Sequence, residues 1–256
     1  MKRTLTRWVK GSPLEPVARW VLQRIQAPPP PELPENANAT LYAFMRKRLP
    51  PDSNCVDIGA SFGGYLEQML SIAPGGRHYA FEPIPKLAEE LQRKFPAAIV
   101  KSMALSDRAG MAKFHYFPDV SPFSGLQRRK DVPYDERTQV IDVPSARLDD
   151  VLPPDLPIAL VKVDVEGAEL DVLRGATQTL LKWRPVLIIE HDTAPAAAYG
   201  ATPAMLHSFL DDSRYTITTA VRIERDAQVY SREEFLDVVR DGKIYNFVAL
   251  GVGLHK

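Results

Sequence analysis

The chain has 256 residues, and 32 basic residues balance 32 acidic ones, so the formal net charge is zero. This balance excludes a bulk electrostatic attraction to nucleic acid, and we expect no nucleic-acid partner. A single cysteine excludes an internal disulfide and favours a cytoplasmic, reducing environment. No run approaches the roughly 18 apolar residues of a membrane-spanning helix. The length predicts one large α/β domain, with or without a modest extension.

The N-terminal segment differs in composition from the rest of the chain. Residues 1–27 carry six basic residues against Glu15 alone, and apolar residues recur among them at helical spacing. A proline-rich linker at 28–34 follows. We therefore divide the chain into a basic amphipathic extension, 1–35, and a catalytic domain, 36–256. The helix is expected to pack on the domain or on a second subunit of a homodimer; docking on a membrane surface or partner protein is the alternative.

The most informative early stretch predicts a strand, a tight loop and a helix. The apolar run from Cys55 to Ile58 ends in a glycine-bearing turn, after which apolar residues recur at helical spacing. Gly59 and Gly63 lack a Cβ, so the loop can turn sharply and its backbone can approach a ligand. This is the opening unit of a nucleotide-binding α/β domain.

Two acids near this loop indicate which nucleotide it binds. The dinucleotide fingerprint G-x-G-x-x-G has Ser61 at its middle position. Asp57 precedes the first glycine, where it would repel a pyrophosphate but could hold the α-amino group of a methionine moiety. Glu82 ends the next apolar run, near the spacing of about 20 residues at which a strand-end acid meets ribose hydroxyls. Together they favour S-adenosylmethionine over NAD.

Further strands are predicted along the chain. Residues 99–100 begin a third strand, and the segment holding Ser106 and Asp107 at its end is expected to bracket an adenine. Gly110 separates two short extended runs, which predicts a hairpin decorating the core. The polar stretch 121–135 is typical of a lid or a substrate loop.

A second informative stretch lies at 158–169. It predicts a buried central strand that Lys162 interrupts, and either Asp164, which shares its face, or Glu166 is expected to be the partner of that charge. Glu166 crowds the same turn, at the sheet edge where α/β proteins bind ligands. We favour a functional cluster over a purely structural ion pair. One amphipathic helix is expected next, with Glu169 in its first turn complementing the macrodipole.

The C-terminal part is expected to complete the sheet. The strand at 186–189 is followed by His191, which either takes the proton of a hydroxyl or only hydrogen-bonds the loop. A helix at 205–210 and strands at 215–221 and 244–250 bring the sheet to about seven strands.

Four sequence blocks together resemble the FkbM family of S-adenosylmethionine-dependent methyltransferases. They are 56–60 (V-D-I-G-A), 81–85 (F-E-P-I-P), 104–107 (A-L-S-D) and 162–169 (K-V-D-V-E-G-A-E). The resemblance covers roughly 40–250. It implies a Rossmann-like class I methyltransferase fold, with a mostly parallel sheet, helices on both faces and an antiparallel last strand. It also implies O-methylation of a sugar or polyketide-type hydroxyl. Ser61 stands where family members usually carry asparagine.

These readings combine into one mechanistic hypothesis, direct methyl transfer to a small-molecule hydroxyl, such as one on a sugar, polyketide or glycolipid. The residues predicted to bind the cofactor are Asp57, Gly59, Ala60, Ser61, Gly63, Glu82, Pro83, Ser106, Asp107 and Asp164. The residues predicted to deprotonate or orient the acceptor are Asp164, Glu166, His191 and Lys162. No metal is assigned; a Mg²⁺ held by Asp164, Glu166 and Asp192 is a minor alternative.

Two other classes of protein stay open at this point. An NAD(P)-dependent oxidoreductase would use the same fold, but Ser61 and Asp57 count against it, and no Tyr-x-x-x-Lys arrangement follows the fourth strand. A non-catalytic scaffold docking through 1–27 is the other. The acids at three strand ends argue against a scaffold, which has no need of them.

Overall fold

The computed structural model describes residues 37–118, 124–128 and 138–253. The predicted N-terminal extension, 1–35, lies outside these residues, as does most of the polar stretch 121–135. No helix in the described ranges is both long and apolar enough to cross a membrane.

Within the described residues, ten strands form two sheets. In chain order they are β1 (Cys55–Ile58), β2 (His78–Phe81), β3 (Ile99–Lys101), β4 (Ala104–Leu105), β5 (Gly110–Tyr116), β6 (Gln139–Ala146), β7 (Leu160–Val163), β8 (Val186–Glu190), β9 (Tyr215–Thr218) and β10 (Asn246–Gly251). The main sheet has the order β3-β2-β1-β7-β8-β10-β9, and β10 runs antiparallel to both of its neighbours. The predicted class I fold with about seven strands is confirmed.

Helices cover both faces of the main sheet. Those in the described ranges are α1 (Ala37–Arg48), α2 (Gly64–Ile72), α3 (Pro85–Lys94), α4 (Leu148–Val151), α5 (Glu169–Arg174), α6 (Thr177–Trp183), α7 (Thr193–Ala198), α8 (Pro203–Asp212), α9 (Ala220–Glu224) and α10 (Arg232–Asp241). Within β7, Leu160 packs in the cluster with α1 and α2, and Val161 packs in the cluster with α5, α6, α8 and α10. Burial on both faces explains why the central strands read as continuous apolar runs.

The insertion differs from the predicted hairpin. Gly110 begins β5 rather than separating two strands, and β5 pairs with β6, which lies beyond the polar stretch. β4 adds to β6 in parallel, so the insertion is a three-stranded sheet. The alternation of polar and apolar residues along β6 is interrupted by Pro144, and its exposed residues are both polar and apolar. For this reason periodicity did not predict β6.

Two other predicted elements were wrong in extent. The helix after 169 is divided into α5 and α6 around Gly175, and the Ser106 carbonyl oxygen approaches Gly175 so closely that a Cβ there would overlap it. The strand predicted at 215–221 ends at Thr218, and the Thr219 side chain caps α9 by accepting a hydrogen bond from the Arg222 N–H. In both places a polar or backbone contact overrides the local pattern.

Candidate active site

The carboxyl ends of β1, β2 and β7 converge on the glycine loop. The N–H groups of Gly59 and Ala60 both donate to the Phe81 carbonyl, at 2.9 and 3.1 Å. Gly59 has φ +77°, and a Cβ on it would overlap the Asp164 carbonyl oxygen. Only glycine allows this close approach of two strand ends, so the loop ties β1 to β2 and β7.

Gly63 serves the packing of the loop against a helix. It has φ +80° and immediately precedes α2. A Cβ there would lie 2.5 Å from Phe95 Cε2 and 2.7 Å from Leu91 Cδ2. Gly63 does not line the cavity described below. The missing Cβ instead allows Leu91 of α3 and Phe95 after it to pack against the loop, so any effect of Gly63 on a ligand is indirect.

Glu82 lies at the end of β2 and faces the glycine loop. Its side chain is buried, and its two carboxylate oxygens accept the N–H groups of Ser61 and Ile84, each at 2.9 Å. Burial raises the pKa of Glu82, and these two hydrogen bonds oppose that rise. Each oxygen retains a further lone pair, so the carboxylate can still accept from a diol.

A cavity opens beside Glu82, at the carboxyl edge of the sheet. Its polar lining includes Ser61, Glu82, Asp164 and Glu166, together with the backbone of Gly59. Its apolar lining includes Pro83, Ile84, Leu87, Met103, Ala104, Leu105, Phe114 and Leu126. A lining that combines a buried carboxylate with apolar side chains suits a nucleoside, whose ribose is polar and whose base is flat and largely apolar.

The residues predicted to bracket an adenine lie just outside the cavity lining. Met103, Ala104 and Leu105 line the cavity, whereas Ser106 and Asp107 do not. The Ser106 N–H donates to the Ala146 carbonyl, and its hydroxyl donates to Asp107. The Ser106 bond to Ala146 continues the pairing of β4 with β6 within the small sheet, and the apolar residues before Ser106 line the cavity.

Asp57 is sealed beneath the loop. It is 2% exposed, accepts a hydrogen bond from the Leu66 N–H, and has no partner for Oδ2 among the described residues. Burial raises its pKa to about 7, although the charge of Lys162 in the neighbouring strand opposes the rise. It does not line the cavity, so its predicted contact with a methionine amino group stays a prediction.

Lys162 is the charge at the centre of this region. It is fully buried in β7, and its Nζ lies 3.2 Å from Asp164 Oδ2 and 5.0 Å from the centre of the Tyr65 ring. Burial opposes its charge, but Asp164, Glu190 and Asp57 outweigh burial and hold its pKa above the ordinary value. The predicted Lys162–Asp164 ion pair is confirmed. Lys162 lies behind Asp164, outside the cavity lining.

The turn after β7 is strained where it meets the cavity. Glu166 has φ +53°, which is uncommon for a residue with a side chain. Gly167 has φ +107°, and a Cβ on it would lie 2.5 Å from the carbonyl of Pro195 at the start of α7. The strain is local and occurs at the cavity wall, as is common at ligand sites.

Glu169 was predicted to lie in the first turn of a helix, and it begins α5, but its carboxyl group is buried. It is 2% exposed, and it accepts hydrogen bonds from the Gly167 N–H at 2.8 Å and, through Oε2, from His191 Nδ1 at 3.3 Å. His191 is also 2% exposed and its Nε2 has no partner within the described part of the chain. The Glu169–His191 pair thus connects the end of β8 to the turn after β7. It lies on the face of the sheet opposite Lys162.

Glu190 is a residue that the sequence analysis passed over. It ends β8, one residue before His191, and its side chain therefore lies on the face that Lys162 occupies. Burial and the Asp164 carboxylate, to which it is hydrogen-bonded, raise its pKa to about 7. The signal available in the sequence was an acid at the end of a strand whose neighbour already carried a lysine and an acid.

The metal alternative finds no support in the geometry. The described ranges contain no group of three or more histidine, cysteine, aspartate or glutamate side chains placed to hold a metal ion. Asp192, one of the three proposed ligands, caps α7 by accepting from the Ala194 N–H at 3.2 Å.

A short segment at 124–128, which we call the strap, crosses the cavity. Ser124 and Leu126 line it. Gly125 exchanges two backbone hydrogen bonds with His115, and the Phe117 N–H donates to the Ser124 hydroxyl at 3.0 Å. The strap is thus fixed to the end of β5.

Tyr199 holds the other end of the strap. Its phenol oxygen accepts the Gln127 N–H at 3.0 Å, and burial raises its pKa. Replacing Tyr199 with phenylalanine leaves that N–H unpaired and should weaken binding of S-adenosylhomocysteine about fivefold, equivalent to one lost hydrogen bond. Calorimetric titration measures this. Tyr245→Phe, which removes a hydroxyl bonded to the Gly242 carbonyl, is the matched control. Equal affinities of the Tyr199 and Tyr245 variants would contradict a role for the strap.

Comparison with known proteins decides the family. The model of the methyltransferase FkbM domain matches residues 57–217, which is more than half of the chain. The chain belongs to the FkbM methyltransferase family. The predicted family is thereby confirmed, and with it the predicted cofactor, S-adenosylmethionine. The glycine loop, Glu82 and the turn after β7 all lie within the matched residues.

Three curated proteins illustrate how this FkbM-family chain relates to others. It is 29% identical over 196 residues to AmbE, an AMB antimetabolite synthetase of Pseudomonas aeruginosa, covering 61% of the chain and 9% of AmbE. It is 29% identical to the methyltransferase sdnD of Sordaria araneosa, covering 77% of the chain and 84% of sdnD. It is 31% identical to the 2-O-methyltransferase NoeI of Sinorhizobium fredii, covering 52% of the chain and 61% of NoeI.

Proposed function

We propose that this methyltransferase transfers the methyl group of S-adenosylmethionine to a hydroxyl oxygen of a small molecule, such as a sugar, a polyketide or a glycolipid. The observation that carries the proposal is the cavity at the carboxyl edge of the sheet, which Glu82 lines while it is hydrogen-bonded to the glycine loop. Similarity to a 2-O-methyltransferase supports oxygen as the acceptor atom.

The donors and acceptors at the cavity suit this cofactor. Glu82, held rigid by two backbone N–H groups, would accept hydrogen bonds from the ribose hydroxyls. Leu87, Met103 and Leu105 would face the adenine. Asp57 Oδ2 accepts no hydrogen bond from the described residues and would suit a cationic amino group. Because Asp57 is buried, such a group could contact it only if the glycine loop moved. The bound sulfonium supplies an already activated methyl group.

The chain's own contribution is to orient the acceptor and accept its proton. Asp164 and Glu166 line the cavity and are therefore proposed to contact the acceptor hydroxyl. Lys162 keeps Asp164 in place from behind. His191 is buried against Glu169 and is not among the residues that line the cavity, so its role as a base stays a prediction.

We also propose that the partner of this protein is a small hydroxylated molecule rather than nucleic acid, because the net charge is zero. A cytoplasmic location is proposed from the free, buried Cys55. The role of 1–27 in contacting the domain, a second subunit or a membrane stays a prediction.

Binding of S-adenosylhomocysteine and of NADH, measured by calorimetry in parallel, tests the cofactor. Saturable binding of the first alone supports the proposal and justifies screening hydroxylated acceptors with labelled S-adenosylmethionine. Binding of NADH alone would favour an oxidoreductase, and absence of both would favour a non-catalytic scaffold.

The Glu82 assignment is tested with Glu82→Ala. Loss of the carboxylate removes the acceptor for the ribose and leaves the Ser61 and Ile84 N–H groups unpaired, so S-adenosylhomocysteine should bind about 50-fold more weakly. Glu89→Ala, at an exposed position of the adjacent α3, is the control and should bind as the wild type does. Unchanged affinity in Glu82→Ala would remove the ribose assignment.

A further inference from the structure

One wall of the cavity comes from the insertion rather than from the main sheet. Phe114 of β5, together with Ser124 and Leu126 of the strap, lines it. The strap pairs with β5 through two backbone hydrogen bonds between His115 and Gly125, at 2.8 and 3.1 Å. It therefore continues the small sheet along the edge of β5 that β6 leaves open.

This pairing determines which strap side chains face the cavity. Residues directly opposite each other in an antiparallel pair point to the same side of a sheet, and neighbours along each strand alternate between the two sides. His115 and Gly125 therefore share one side, and neither lines the cavity. Phe114, Ser124 and Leu126 share the other side, and all three line the cavity. The direction of the side chains thus agrees with the cavity lining.

Leu126 packs against an apolar cluster that forms part of the same wall. The buried members of the cluster that also line the cavity are Ile84, Leu87, Ala104 and Phe114. The Ile84 N–H donates to the Glu82 carboxylate, the group proposed to bind the ribose. The apolar cluster and this carboxylate are therefore neighbours, as the base and the ribose of a nucleoside are.

Ser124 adds a polar group to this apolar wall. It is 7% exposed, and its Oγ accepts the Phe117 N–H at 3.0 Å. A serine hydroxyl also carries one proton that it can donate. Among the described residues, no acceptor takes that proton. A buried hydroxyl on the cavity wall thus keeps a hydrogen-bond donor for a ligand atom.

Adenine offers the acceptor that this donor requires. Its ring nitrogens N1, N3 and N7 carry no proton and accept hydrogen bonds, and its flat faces suit contact with Phe114 and Leu126. The ribose hydroxyls need an acceptor as well, which Glu82 supplies. The hydroxyl of Ser124 therefore matches the base.

We propose that Ser124 recognises the cofactor: its hydroxyl donates a hydrogen bond to a ring nitrogen of the adenine, while Leu126 packs against the ring. This inference rests on the proposed placement of the cofactor nucleoside in the cavity. The Phe117 N–H occupies one lone pair of the serine oxygen and fixes the position of that oxygen before the ligand binds.

A set of cofactor analogues tests this contact without any methyl acceptor. In 1-deaza-, 3-deaza- and 7-deaza-S-adenosylhomocysteine, a C–H group replaces N1, N3 or N7. Ser124→Ala should weaken the binding of S-adenosylhomocysteine about fivefold, as expected for one lost hydrogen bond. The same factor should appear with two of the analogues and vanish with the third, which has already lost the accepting nitrogen. Calorimetric titration measures each affinity.

Ser145→Ala is the matched control. Ser145 lies in β6 of the same small sheet, is 8% exposed and donates its hydroxyl to the Arg108 carbonyl, but it does not line the cavity. This variant should bind all four compounds as the wild type does.

Three results would overturn the inference. The first is a Ser124→Ala variant that binds S-adenosylhomocysteine as tightly as the wild type does. The second is equal weakening toward all four compounds, because the serine would then act only through its bond to the Phe117 N–H. The third is failure of the wild type to bind S-adenosylhomocysteine, which would contradict the proposed cofactor site as well.

Ser124→Cys covers the case in which Ser124→Ala does not fold. Cysteine keeps a side-chain atom beside the Phe117 N–H, but its thiol is a weak hydrogen-bond donor. It should therefore show the same pattern, a loss of affinity for S-adenosylhomocysteine that vanishes with one deaza analogue. An unchanged affinity, or the same loss with all four compounds, would overturn the assignment of Ser124.

Discussion

Gly59→Ala should abolish measurable binding of S-adenosylhomocysteine and destabilise the protein by at least about 3 kcal/mol. The new Cβ would overlap the Asp164 carbonyl oxygen, and the residue has φ +77°, which a side chain disfavours. The overlap can be removed only if the ends of β1 and β7 separate. Such a separation would displace the polar residues that line the cavity. Urea unfolding and calorimetric titration measure the two effects.

Gly200 provides a matched control for this experiment. It has φ +69°, close to that of Gly59, but a Cβ on it would have no atom within 4 Å. Gly200→Ala therefore isolates the backbone cost of a left-handed conformation, and should lower stability by about 1 kcal/mol without affecting ligand binding. Similar losses in the two variants would show that the close approach of Gly59 to Asp164 is unimportant.

Lys162→Met should lower the free energy of unfolding by about 3–5 kcal/mol at pH 8. Methionine fills the space, but the carboxyls of Asp57, Asp164 and Glu190 lose the cation that compensates them. The exposed ion pair of Lys182 with Asp155 gives the control, because Lys182→Met should cost less than about 1 kcal/mol. Urea unfolding at fixed pH measures both.

The pH dependence of the Lys162 variant follows from the direction of the carboxyl shifts. Asp57 and Glu190 have pKa values raised to about 7 in the folded protein, from ordinary values of 3.8 and 4.5. Between about pH 4 and pH 7 the folded state therefore holds more protons than the unfolded state, and stability falls as pH rises. Removing Lys162 raises these pKa values further and should steepen the fall. Equal destabilisation at pH 5 and pH 8 would contradict this account.

The parts of the fold that the sequence predicted are those whose signals are local. The strand, glycine loop and helix from Cys55 to Ile72 follow from apolar periodicity and two glycines. The Lys162–Asp164 pair follows from alternation along one strand, since residues two apart share a face. Such features depend on a few neighbouring residues and were predictable for that reason.

The errors share a different cause, which is contact between segments distant in sequence. β6 forms because β4 and β5 pair with it, although its own alternation is imperfect. The predicted single helix divides at Gly175, where the Ser106 carbonyl from a distant segment lies against the backbone. A periodicity argument contains no information about either neighbour.

The same division holds within the active site. The sequence by itself determined the family, the strand-end position of Glu82 and the acids that follow β7, because short motifs with fixed spacing carry them. Only the tertiary structure decided that Asp57 and His191 are sealed, that Glu169 is buried against His191, and that Glu190 lies beside Asp164. Burial and pairing across strands arise from the packing of β7, β8 and β10 together, and spacing along one chain does not encode which side chains that packing leaves open to a ligand.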